Sequence, residues 1–226
     1  MTVEFLWGER ARPTRGPKPT LTLEGIADAA IAVADAEGLA AVSMQRVAAE
    51  LGFTKMSLYR YLPGKAELVA LMVERAIGEP PTLSETGWRP ALTEWSRRLI
   101  ARYLAHPWSI EATVGRRPLG PYEMGWMEIA LAALADLGLT GAERLDAIAV
   151  LAGHGRWLAQ QDAARLDEAG MSRAMGEVMR VHGARFPHLT RAMADTAAEG
   201  GQDQAFEFGL QRILDGLDTL IRQRRN

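Results

Sequence analysis

The sequence predicts an all-α protein, and three observations carry that expectation. Apolar residues recur at i, i+4 and i+7 through most of the chain, the spacing of one helix face. No segment alternates with period two for long enough to make a strand. Ser, Thr and Gly stand where helices start and stop. The 226 residues, 48% of them hydrophobic and 24% charged, suffice for one large helical domain or a small domain joined to a larger one.

In chain order, residues 1–21 are rich in Arg, Pro and Gly and show no period, so they read as an extended arm or a leader. From Thr22 a helix carries Ile26, Ala30 and Val33 inward and closes at Gly38. Ser43 caps a short helix with inner face Val47, Ala48 and Leu51, which Gly52 breaks. Thr54 opens a third, to about Leu62, and Pro63-Gly64 ends it. Lys65 to Ile77 follows, with Leu68, Leu71, Met72 and Ala76 on one face and Pro80-Pro81 beyond.

The rest is also helical by period. Trp88, Leu92, Trp95, Leu99 and Tyr103 form a stripe ending at His106-Pro107. A short piece, Trp108 to Val114, precedes the turn-rich Gly115 to Pro121. Further helices are expected over Tyr122 to Leu137, Ala142 to about Glu168, Ser172 to Val181, and about Asp203 to Arg222. This gives a basic arm at 1–21, a helix-turn-helix unit at 22–80 and a larger helical unit at 81–226.

Composition removes whole classes. Cysteine is absent, so disulfide scaffolds, thiolate zinc sites and cysteine nucleophiles go together. No run approaches the roughly 18 apolar residues that span a bilayer, and the first residues lack a signal peptide's apolar stretch. A cytoplasmic protein with no membrane partner is expected. The net charge of −2 does not suggest a nucleic-acid binder, but its distribution does. Arg10, Arg12, Arg15 and Lys18 have no acid among them, and Arg46, Lys55, Arg60 and Lys65 face one acid, Glu50, between 43 and 65. Such clusters serve as phosphate sites or as plain solvated surface.

Catalytic motifs fail on inspection. Gly64-Lys65 lacks the phosphate loop's other residues, since positions 59 and 66 are Tyr59 and Ala66. Gly153-His154-Gly155 has Leu158 where a dinucleotide fingerprint needs Gly, and no strand precedes it. His106, His154, His182 and His188 never form HxxxH or HExxH. No enzyme, cofactor or metal site is expected.

The segment Ser43 to Lys65 carries the functional reading. Two short helices joined at Gly52-Phe53 make a helix-turn-helix, whose second helix enters the major groove with its N-terminal residues at base edges. Lysine donates to guanine O6/N7, and methionine packs on a thymine methyl. Any three-helix core contains such a pair, so the pattern alone leaves a DNA face and an ordinary surface both open. An architectural DNA-binding protein also fits this segment, though not the large aromatic second unit.

Residues 22–78 resemble the DNA-binding domain of the tetracycline-repressor (TetR) family. The resemblance rests on Ile26, Ala29-Ala30, Glu37-Gly38, Ser43-Met44, Val47-Ala48, Leu51-Gly52, Ser57 to Tyr61, Pro63, Lys65 and Leu68, in order and at the right spacing. It implies a homodimeric repressor of double-stranded operator DNA whose variable helical C-terminal domain senses a small-molecule effector. It further implies phosphate contacts by Ser43, Thr54, Tyr59, Tyr61 and Lys65, and base reading by Arg46, Lys55, Met56 and Ser57. The arm departs from the family's shortest members; it enters the minor groove or touches nothing.

Gly115-Arg116-Arg117-Pro118, the helix from Tyr122 and Phe206-Glu207-Phe208-Gly209-Leu210 resemble the family's ligand domain. There the final helix and the long earlier helix form a four-helix dimer interface. The terminal stripe Phe206, Leu210, Ile213, Leu214, Leu217 and Ile221 fits that use, as do the small residues Ala149, Ala152, Gly153, Gly155 and Ala159. Trp95, Leu99, Arg102, Thr113, Arg117, Trp126, Ile129 and Trp157 are the expected effector-chamber lining. Tetracycline-sensing members hold magnesium with a histidine four residues before Arg117. Here that position is Thr113, so a metal-free, largely apolar effector is expected, unless the register in this turn is shifted and His106 takes that place.

Overall fold

The computed structural model describes residues 4–8, 21–114, 117–164, 168–198 and 204–225. Among the described residues there are twelve α-helices and no strand. They are α1 (Glu4–Trp7), α2 (Leu23–Glu37), α3 (Met44–Glu50), α4 (Lys55–Tyr59), α5 (Lys65–Ile77), α6 (Trp88–Ala105), α7 (Trp108–Ala112), α8 (Pro121–Ala133), α9 (Gly141–Ala164), α10 (Glu168–His182), α11 (Pro187–Ala198) and α12 (Ala205–Arg225). No helix among the described residues is long and apolar enough to cross a membrane.

The caps explain the first boundaries. Thr22 Oγ1 accepts from the Gly25 N–H at 3.0 Å, and Gly38, at φ 83°, closes α2 with its N–H on Ala34 O. Ser43 Oγ accepts from the Arg46 N–H at 3.1 Å, and Gly52 turns the chain at φ 73°. α4 stops at Tyr59, shorter than the expected run to Leu62, though Leu62 still bonds back to Leu58 O at 3.0 Å.

Three expectations need correction. The first residues are not wholly extended: α1 forms one turn, Leu6 is buried, and Trp7 Nε1 donates to Leu119 O at 2.9 Å. The basic residues Arg10, Arg12, Arg15 and Lys18 lie outside the described residues. α8 ends at Ala133 rather than Leu137, because Asp136 takes a left-handed φ of 57° two residues before Gly138. Gly183 and Pro187 do not merely interrupt a helix: a short 3-10 turn, Gly183–Arg185, leads into α11.

Two cores form. The first joins Ile26, Ala30, Val47, Ala48, Leu58, Leu62, Leu68 and Met72, and also takes Trp108 and Ala112 from α7. Trp108 was expected among the aromatic residues of the second unit; it packs instead on the first. The second core joins Leu92, Trp95 and Leu99 of α6 with Trp126, Ala130, Ile148 and Leu151, and with Leu210, Leu214, Leu217 and Ile221 of α12. The terminal stripe therefore turns into its own chain, not outward. Of the small residues of α9, Gly155 and Ala159 turn inward, whereas Ala149 and Gly153 are exposed. Ala159 is buried, and a Cβ at Gly155 would lie 3.6 Å from Ile100 Cβ of α6.

Because Leu214 is fully buried, Leu214→Ala should cost about 2–5 kcal/mol of stability, read by urea unfolding. A change under 0.5 kcal/mol would show that α12 packs elsewhere.

Candidate nucleic-acid interface and effector region

α3 and α4 are held by Val47, Ala48 and Leu58, which leaves the start of α4 outward. Gly52 N bonds Ala49 O and Phe53 N bonds Ala48 O, at 3.1 and 2.8 Å, so the turn is fixed by its own backbone. Thr54 occupies the cap position of α4, and its Oγ1 lies 3.2 Å from Ser57 Oγ. Lys55, Met56, Tyr59, Arg60, Tyr61 and Lys65 are exposed; Met56 shows 66% of its surface, which a core methionine would not. Ser43 is exposed beside them, its hydroxyl proton free to donate although its lone pair serves the cap. Arg46 differs. Its guanidinium bonds Glu37 at 2.8 Å and pairs with Glu50, so reaching a base requires releasing both carboxylates.

The eight residues expected around an effector are not brought together. Trp95 and Trp126 are both 2% exposed, with ring centroids 6.4 Å apart. Their indole N–H groups are satisfied by backbone: Trp95 donates to Trp126 O at 2.9 Å and Trp126 to Gly78 O at 3.1 Å. Leu99 and Ile129 pack in the same core, so these four fill the interior. Arg102 is exposed, and its guanidinium lies over Gly78. Trp157 is 56% exposed on the outer face of α9. Thr113 ends α7, bonding Ile110 O at 2.9 Å. His106 Nδ1 is taken by Asp35 of α2 at 2.9 Å.

Arg117 alone of the eight sits in a buried polar group. Its guanidinium meets Glu123 on both oxygens, with side chains 11% and 13% exposed, and its Nε has no partner. Nearby, burial pushes the Tyr103 phenol pKa up; Arg156 and Arg117 oppose that shift and Glu123 adds to it. Arg156 donates to Ile110 O at 2.9 Å, tying α9 to the end of α7. Among the described residues, cavities also lie elsewhere: a groove of about 550 Å³ along α6, past Arg89, Thr93, Glu94 and Arg97, and a cleft of about 460 Å³ between α2, α5 and α8, past Asp28, Arg75, Glu79 and His106.

Two family descriptions match this geometry. Residues 26–72 match the bacterial regulatory proteins of the tetR family, and residues 80–221 match the tetracyclin repressor-like C-terminal domain. The chain belongs to the tetR family. Its regulators are DNA-binding transcriptional repressors with this helix-turn-helix. The HTH-type transcriptional repressor DrrR1 of Streptomyces coeruleorubidus is 44% identical, across 99% of this chain and 87% of that one. Apo ActR of Streptomyces coelicolor has a TM-score of 0.78 at 27% identity, covering 92% of this chain and 99% of that one. ActR in complex with actinorhodin has a TM-score of 0.74 at 28% identity, covering 89% and 96%.

For a tetR regulator the contacts between the two halves matter as much as either site, and sequence reasoning passed over them. Asp35 Oδ1 accepts from Trp108 Nε1 at 2.6 Å as well as from His106, joining α2 to α7. Arg75 of α5 bonds Asp28 of α2, its second contact at 2.8 Å; that hydrogen bond raises the Arg75 pKa against the lowering effect of burial. Glu74, beside it, is 2% exposed and faces α8. A signal existed: a glutamate sits among the apolar residues of α5, whose buried faces include Val73 and Ala76.

The buried pair sets a second expectation. Arg117→Met leaves the Glu123 carboxylate uncompensated and should cost about 3 kcal/mol in urea unfolding. The double variant Arg117→Met/Glu123→Leu should recover most of that loss. A double variant as unstable as the sum of the singles would mean the two side chains do not interact.

Proposed function

We propose that the chain is an effector-released repressor that binds a palindromic operator as a homodimer. The observation that carries this is the row of exposed side chains on α4 and its flanks, held outward by a fixed turn, in a chain of the tetR family. α4 enters the major groove with Lys55, Met56 and Ser57 toward base edges, and Arg46 joins them once its carboxylates release. Ser43, Thr54, Tyr59, Tyr61 and Lys65 hold phosphates. We assign residues 1–21 to a basic arm, 22–80 to operator binding and 81–226 to effector binding and dimerisation. A cytoplasmic location follows from the role.

The dimer surface we propose is the outer side of α9 and α12, not the buried stripe. Val150, Gly153 and Trp157 share one exposed face of α9, and Phe208 is 65% exposed on α12. Exposed apolar side chains grouped on two long helices are an interface signature. The effector is small and largely apolar, with an acidic or carbonyl oxygen for Arg117. It enters from the Thr113, Arg117 and Tyr103 side and needs no metal. That ActR is solved in complex with actinorhodin supports a small-molecule ligand for this chain.

An operator selected from a random duplex pool tests the first part. Lys55→Ala and Tyr59→Phe should both weaken binding, the former by about 1–3 kcal/mol with relaxed base preference, since phosphate contacts carry no sequence. Equal relaxation by both would overturn the assignment. Release of the wild type by actinorhodin in a chelator would support the effector reading, and a strict magnesium requirement would sink the metal-free form of it.

Trp157→Glu should give a folded monomer by light scattering and circular dichroism. A variant still dimeric would move the interface off this face.

A further inference from the structure

We propose that Glu74 is a positioning residue that couples the effector half to the operator-reading helix by holding the first turn of α8 onto α5. The proposal rests on the effector-released reading above. α8 begins at Pro121, which has no N–H. The Met124 N–H is already bonded to Gly120 O at 3.1 Å. That leaves the N–H groups of Tyr122 and Glu123 as the ones a helix start cannot satisfy internally. Both donate to Glu74, Tyr122 to Oε1 and Glu123 to Oε2 at 3.3 Å. The negative charge sits at the positive end of the α8 dipole.

The site is built for this contact. A Cβ at Gly120 would lie 2.5 and 2.7 Å from the Glu74 carboxylate oxygens, so a side chain there would push the carboxylate off the start of α8. Gly125 lets α8 approach Pro80, where a Cβ would come within 2.7 Å of the proline ring. One turn along, Trp126 Nε1 bonds Gly78 O, which fixes the end of α5 against the same face. Arg75, the next residue of α5, holds Asp28 of α2. Successive residues point about 100° apart around a helix, so α5 is gripped from two sides.

The consequence is mechanical. Glu123 is the partner of Arg117, so a ligand that engages Arg117 acts on the turn that Glu74 caps. A shift of that turn either draws Glu74 with it or costs the buried carboxylate these two donors. α5 therefore follows α8. Its other end starts at Lys65, and Leu68 packs in one core with Leu58 of α4.

Coupling is reciprocal, typically about 5- to 150-fold, so DNA bound at α4 must be felt at α8 without any effector. The test is amide hydrogen exchange at Tyr122 and Glu123, with and without a duplex selected from a random pool. In the wild type, DNA should slow exchange there by about tenfold, the coupling acting on local opening. In Glu74→Gln that slowing should fall below about twofold, because one donor loses its acceptor, while duplex affinity stays within about threefold. A merely structural cap would raise exchange equally with and without DNA, and that result overturns the proposal. So does wild-type exchange at α8 that ignores bound DNA, a measurement that needs no variant. Failure to select any duplex would instead overturn the repressor reading itself.

Discussion

A carboxylate buried between two helices has to find donors, and the Glu74 carboxylate finds two in N–H groups of the α8 start that the helix leaves unmet. Each side solves the other's problem. Much of the surrounding structure follows from that exchange. Gly120 lies against the carboxylate, Pro121 begins the helix, and the chain from Gly78 to Pro80 lies close enough for Trp126 and Gly125 to touch it. Arg75 and Asp28 then decide how α2 sits on α5. The helix-turn-helix and the C-terminal helices meet across α5, with Asp35, His106 and Trp108 as a second tie.

The first third of the fold was legible because its boundaries are local. Thr22, Gly38, Ser43 and Gly52 each cap or turn the chain through bonds within a few residues, and such residues announce themselves in sequence. The exposed row from Lys55 to Lys65 was legible for the same reason, since Leu58 and Leu62 fix which face turns inward. The end of α8 was not legible. Gly138 is a fair stop signal, but Asp136 adopts the left-handed conformation first, and nothing in its identity demands that. Arg46 shows the limit within the legible part: its type suggests base contact, while its partners Glu37 and Glu50 are set by how α2 and α3 pack.

The effector side was least legible, because period and composition do not distinguish a lining from a filling. Trp95, Leu99, Trp126 and Ile129 look in sequence like chamber walls. Packed, they are the core, and the two indole N–H groups have spent their polarity on backbone carbonyls. The group that stays polar and buried is Arg117, Glu123, Tyr103 and Arg156. These residues come from α6, α8, α9 and the segment before α8, so no sequence window contains them. There the Arg117 Nε is a buried donor without a hydrogen-bond partner.

The long helices α9 and α12 divide their apolar residues between a buried and an exposed face. On α12, Leu210, Leu214, Leu217 and Ile221 close the chain's own core, so the strongest apolar stripe is spent inside. His154 adds to that closure. Its Nε2 must carry the proton, because its partner, Phe206 O at 3.0 Å, only accepts, and the imidazole stacks on the Phe206 ring. Gly209 allows the approach, since a Cβ there would lie 2.5 Å from His154 Nε2. What remains outside is a sparser set, with Val150, Gly153 and Trp157 on α9 and Phe208 and Gly216 on α12. Two glycines among large apolar groups give this face a relief of knobs and hollows. A stripe chosen by hydrophobicity alone identifies the face that folds the chain; the apolar residues left over are the ones that stay at the surface.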